Sequence, residues 1–206
     1  MKKKSVLIFV SLSLLTIGCN LIGGTDEIAN QEIEGFSIPL PNNWVDRSQL
    51  DIKDNLAKFD FNEAEIKEFL KTNNGSVPVA LYMKYNPEEY NGPIPTIQVN
   101  LRPNTNKTFN GFKEATQLSI DEMNDIFKNF KIVVPIEEVE VNGIKGIRFV
   151  SQFDLGGKKG ENWTIRSWTY GFPSGNYFYQ INFSDTEDED SSLLYEVLLD
   201  HIKFTK

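Results

Sequence analysis

The chain has 206 residues, a formal net charge of −8 and 40% hydrophobic residues. That length can bury one good core, so a single domain is the expectation. The acidity argues against nucleic acid as a partner and against flat adsorption on anionic lipid, and one cysteine cannot make an intrachain disulfide.

Residues 1–18 have the three parts of an export signal: Lys2, Lys3 and Lys4, then an apolar run from Val6 to Ile17, then small Gly18 before Cys19. The apolar run falls short of the ~20 residues a membrane-spanning helix needs. Thr16-Ile17-Gly18-Cys19 resembles the lipobox of bacterial lipoproteins, in which the thiol is acylated and the chain is cut just before it. The resemblance implies lipidation at Cys19, a palmitate-type anchor and an exported protein held on a bacterial membrane. Asn20 is not the aspartate that retains lipoproteins in an inner membrane, so the outer membrane is the expected address in a Gram-negative cell. Residues 19–34, with two adjacent glycines and no sustained period, read as a flexible tether.

The domain is expected over 35–206. Gly35 to Trp44 opens it as a short strand interrupted by Pro39 and Pro41. Asn62 and Glu65 form a capping box for a helix over Glu63–Lys71, with Ile66, Phe69 and Leu70 as its apolar stripe. Alternation predicts strands over Val77–Tyr85 and Thr96–Arg102. A longer helix is expected over Phe112–Asn129, burying Phe112, Ala115, Leu118, Ile120, Met123, Ile126 and Phe127.

The second half predicts a meander. Ile132–Val141 meets Ile144–Asp154 across Asn142-Gly143, a strong hairpin signal. Gly156 to Gly160 turns into Asn162–Phe172, and Pro173-Ser174-Gly175 turns into Tyr177–Ser184. A last helix is expected over Ser191–Lys203. The pattern predicts an α+β fold with a mostly antiparallel sheet.

Three stretches carry a family resemblance. Phe36 to Trp44 is similar to the F-x-I-x-x-P-x-x-W opening of PsbP-like proteins. Val139 to Arg148 is similar to their central v-x-v-n-G-x-x-G hairpin, and Tyr179-Gln180-Ile181-Asn182-Phe183 with Ile202-Lys203-Phe204 resembles their close. The resemblance implies an α/β/α sandwich around a curved antiparallel sheet, as in the photosystem II extrinsic protein and the Mog-type Ran-binding import factor. It also implies a place among the bacterial lipoproteins of that family and a non-enzymatic role. No metal-ligand histidine carries over, and neither a metal nor another cofactor is expected.

Catalytic residues are not assigned. His201 is the sole histidine and sits near a helix C-terminus, where a cation is favoured. No G-x-S-x-G elbow is present, while 29 Asp and Glu leave a hydrolase with a carboxylate pair as the alternative. The acidic run Asp185 to Asp190 lacks the glycine and distal glutamate of an EF-hand and reads as a capping run for the last helix. Gly156 to Gly160 lacks the strand–GxxxxGK[ST]–helix context of a phosphate loop and reads as a hairpin tip.

The strand faces say more. Alternation assigns Ile97, Val99, Leu101, Ile147, Phe149, Phe153, Tyr179, Ile181 and Phe183 to an apolar face. The opposite face collects Arg102, Arg148, Arg166, Trp168 and Gln180, including three of the chain's four arginines. Arginine with Trp and Tyr is the composition of binding hot spots, and the alternative is pairing of each arginine with an acid. The expectation is therefore a monomeric, lipid-anchored binding or accessory module of the cell envelope, with an envelope protein as its partner.

Overall fold

A computed structural model of the protein describes residues 33, 35–48, 76–90, 92–156 and 161–205. The order is β1 (Gly35–Ser37), β2 (Val45–Asp46), β3 (Val77–Met83), β4 (Thr96–Pro103), α1 (Phe109–Ile126), β5 (Lys128–Val141), β6 (Ile144–Gly156), β7 (Asn162–Ser174), β8 (Tyr177–Thr186), α2 (Ser192–His201) and β9 (Lys203–Thr205). The expected helix over 63–71 and the tip of the turn over 157–160 lie outside the described residues.

Two tight turns set the meander. Asn142 and Gly143 take φ of 50° and 76°, the left-handed pair that a two-residue hairpin needs to match strand twist, and Val141 pairs with Ile144. Gly175, at φ 53°, helps to close the next turn so that Ser174 faces Tyr177. The result is a seven-stranded sheet of order β2-β3-β4-β8-β7-β6-β5, antiparallel throughout. Pro135, Lys128, Lys131 and Glu140 fall on edge strand β5, where a missing N–H is tolerated and charge discourages edge-to-edge pairing.

Each sheet face carries one described helix. On one side, Phe109, Phe112, Ile120 and Met123 of α1 pack on Ile147, Phe149 and Phe178. Gly171 permits this approach, because a Cβ there would meet the Phe112 ring at 3.0 Å. On the other side, Tyr195 and Leu198 of α2, with Ile202 and Trp44, cover Ile97, Val99, Tyr170, Phe172, Ile181 and Phe183. Burying each of the larger side chains contributes about 2–3 kcal/mol. The fold is the expected α+β arrangement, an α/β/α sandwich about a curved antiparallel sheet.

Several boundaries differ from expectation for physical reasons. Helix α1 begins earlier because Thr108 caps it, its side chain accepting from the Gly111 N–H. It ends at Ile126 because Phe127 is already extended. Leu118 and Ile126 are exposed, and Thr116 and Ser119 are buried instead. Their hydroxyls donate to the carbonyls of Phe112 and Ala115 one turn back, which removes the cost of burying them. In β3 a register shift between Pro78 and Ala80 replaces strict alternation, so Val77, Ala80 and Met83 are the buried set. The last helix stops at His201, and Lys203–Thr205 pairs with Gly35–Ser37 in a small second sheet.

Ile33, the one described residue of the stretch read as tether, is buried, and its N–H donates to Ser174 Oγ at 2.8 Å, so this residue belongs to the core. We expect Ile33→Ala to cost about 2 kcal/mol in urea denaturation, the lower range for emptying a buried Ile site. A chain beginning at Gly35 should be less stable than one beginning ahead of Ile33. Equal midpoints for the two would return Ile33 to the tether.

Candidate functional site

Strand register separates the five residues assigned to one face. Trp168 pairs with Phe183 and Arg166 with Asp185 across β7 and β8, whereas Gln180 pairs with Gly171. Gln152 pairs with Arg166, and Arg148 with Tyr170, across β6 and β7. Arg148, Arg166 and Trp168 therefore share the α2 side of the sheet, and Arg102 and Gln180 lie on the α1 side. The expected common face of five residues does not exist. With a helix on each side, both faces need apolar residues, so alternation within a strand does not say which of its two sets joins the neighbour's apolar set.

The three arginines have different surroundings. Arg102 is half-buried, its Nη1 donating to Gln180 Oε1 at 3.3 Å, and burial holds its pKa below the usual arginine value. Arg148 forms an ion pair with Glu137 directly opposite it on β5. Burial works against its charge, but the Glu137 carboxylate holds its pKa above the usual value. Arg166 is exposed, with its guanidinium carbon 6.0 Å from the centre of the Trp168 ring, and it makes no ion pair among the described residues.

Rows of side chains across the α2 side show why Arg166 is different. The Phe172–Tyr179, Tyr170–Ile181 and Trp168–Phe183 rows are covered by α2 and its neighbours. The next row, Gln152–Arg166–Asp185, meets instead the loop that leads into α2. Between that loop and the strands is a hollow of about 90 Å³, lined by Gln152, Arg166, Trp168 and Asp185 on the strand side and by Glu187 and Asp190 on the loop side. Thr164, Thr186 and Glu189 complete the lining.

The loop wall is held by carboxylates. Asp185 is buried; its Oδ2 accepts from the Ser191 N–H at 2.7 Å and its Oδ1 from the Tyr195 hydroxyl at 2.5 Å. Burial pushes its pKa up, against the pull of those two donors. Asp190 accepts from the Ser192 N–H at 3.0 Å. Both contacts satisfy donors at the start of α2, the capping use expected of this run. Glu189 pairs with Lys84 and accepts from Tyr85, which lower its pKa and tie the loop to the end of β3. Tyr85 stacks on Tyr90 with ring centres 4.6 Å apart. Asp190 also has its pKa lowered, first by Ser192 and further by the charge of Arg166.

What remains for a ligand is the Arg166 fork, the Gln152 amide, the Trp168 ring and indole N–H, and the Glu187 carboxylate, none with a hydrogen bond among the described residues. His201 is exposed on α2, with Nδ1 2.7 Å from its own helix's Val197 carbonyl and far along the chain from the loop. The hollow was legible in part. Counting back eight residues on each strand from the Ser174–Tyr177 turn leads to Arg166 and Asp185, so the turn length carries the register that joins them. Among the described residues no group of three or more His, Cys, Asp or Glu side chains converges as a metal cage would require.

A comparison with solved structures finds LpqN, described as involved in cell envelope biogenesis of Mycobacterium tuberculosis, at 13% identity over 83% of each chain with a TM-score of 0.47. A likeness at that level carries no argument about what this chain does. No family model and no curated protein matches the chain.

Proposed function

We propose that this protein is a lipid-anchored module of a bacterial cell envelope that binds a ligand or partner through the hollow at Arg166 and Trp168. The lipobox around Cys19 supports the anchor, and no helix among the described residues is long and apolar enough to cross a membrane. The PsbP-like motifs, read with the sandwich that carries them, support a non-catalytic accessory role. One observation carries the binding reading. Arg166, unlike Arg102 and Arg148, sits exposed over a tryptophan without an ion pair among the described residues, and Arg–Trp pairs of this kind concentrate binding energy.

The test is capture of envelope components by the wild-type protein and by Arg166→Ala. An exposed side chain contributes little to folding, so the variant should melt as the wild type does and lose about tenfold or more in capture, as removal of one charge-assisted contact predicts. Equal capture by the two proteins overturns the reading.

A hydrolase with a carboxylate pair is the second reading, favoured by the opposed shifts of Asp185 and Glu189 in one hollow. Against it, both Asp185 oxygens are already engaged by Ser191 and Tyr195. Turnover of a glycan or ester substrate that Glu189→Gln abolishes would move the assignment to an enzyme.

A further inference from the structure

We propose that the hollow binds a compact zwitterion: an ammonium group joined by a short chain to a carboxylate or phosphate. The inference rests on the binding reading above and names its ligand class. The two walls carry opposite charge: the charge of Arg166 acts across the hollow on Asp190, but the two form no ion pair, and the strand-side carboxylate of Asp185 is already engaged by Ser191 and Tyr195. On the strand side, Arg166 offers a planar fork of donors over the Trp168 ring, with Gln152 as its cross-strand neighbour. That set suits an oxyanion, which a guanidinium takes with two parallel hydrogen bonds.

On the loop side, Glu187 and Asp190 face the same space. The Glu187 backbone is fixed by its N–H to the Thr164 carbonyl at 3.0 Å, and its exposed carboxylate has no hydrogen bond or ion pair among the described residues. A carboxylate wall beside an indole suits an ammonium group. A ligand of one sign would meet one wall favourably and be opposed by the other, whereas a zwitterion satisfies both. The volume, about 90 Å³, is enough for a small head group.

Two sources carry this chemistry, a free amino acid and a phospholipid head group. Calorimetric titration of the full-length protein in detergent with glycine and with O-phosphoethanolamine tests the inference, with acetate and methylammonium as single-charge probes. Saturable binding of at least one zwitterion is expected, with the single-charge probes about tenfold weaker or more, one lost ionic contact. Arg166→Gln and Glu187→Gln should each weaken zwitterion binding by at least about tenfold at an unchanged melting temperature. Glycine binding alone identifies the free source. Phosphoethanolamine binding, together with retention of the Cys19→Ser protein on phosphatidylethanolamine vesicles that Arg166→Gln abolishes, identifies the lipid source. Acetate binding as tightly as glycine, indifference to Glu187→Gln, or no binding of either zwitterion overturns the inference. If capture of envelope components stays dependent on Arg166 while neither zwitterion binds, the ligand class is wrong and the binding reading stands.

Discussion

Replacing Cys19 by serine should move the protein from the membrane fraction to the soluble fraction. Acylation of a thiol needs the sulfur, and Cys19 is the chain's one cysteine. Each CH₂ of a buried acyl chain contributes about 0.8 kcal/mol, and a single myristoyl chain holds a protein only reversibly, with a constant of about 10⁴ M⁻¹. A lipoprotein carries at least one chain more, so the wild type should sediment almost wholly with membranes. Beyond the leader the variant keeps an acidic chain, which does not favour an anionic bilayer. Fractionation with palmitate labelling checks this. A wild-type protein that takes up no palmitate yet stays with the membrane would falsify the anchor.

The second large effect should come from Asp185→Ala, at about 3 kcal/mol in chemical denaturation. The substitution removes the acceptor of the Ser191 N–H at the start of α2 and the 2.5 Å partner of the Tyr195 hydroxyl. Tyr195 is 1% exposed, so without Asp185 its hydroxyl keeps the longer contact to the Ser184 carbonyl, at 3.3 Å, and the Ser191 side chain. Its ring stacks on Phe183 and meets Trp168 edge to face, and a shift there is felt along the floor of the hollow. Asp185→Asn should cost less, because the amide oxygen retains one acceptor. Tyr195→Phe removes the hydroxyl and leaves the packing. A double-mutant cycle between Asp185→Ala and Tyr195→Phe should return a coupling above about 1 kcal/mol. Additive effects, or an alanine variant as stable as the wild type, would show that the loop is held by Glu189 and Asp190 instead.

Local sequence determined the strands and the hairpins, and it alone carries the proposed address. The leader and Cys19 are contiguous, so their reading needs no fold. Asn142-Gly143 demands a left-handed pair wherever it occurs, and the alternation of Ile97, Val99 and Leu101 marks a strand whatever covers it. The acids before Ser191 were likewise legible as a cap, because a helix start exposes N–H groups to whichever acceptor is nearest in the chain. Boundaries were less so: Thr108 caps α1 without a sequence neighbour that singles it out, and Ser119 is buried with its hydroxyl donating to the Ala115 carbonyl one turn back.

The site depended on relations that no single stretch carries. Each strand's alternation states which residues share a side, and leaves open which side that is. Tertiary structure decided it by placing α1 against Phe149 and Phe178 and α2 against Tyr170 and Phe183, so that both faces bury apolar residues. That assignment sends Arg102 and Gln180 to one face and Arg148, Arg166 and Trp168 to the other. It also decides that Glu137 reaches Arg148 from the edge strand and that the loop into α2 passes over Arg166 and leaves a hollow there. A side chain's identity is local, while its partner is set by register and by the layer above it. The chain alone therefore announced an arginine beside a tryptophan, and only the packed sheet chose Arg166 as the one left facing open space.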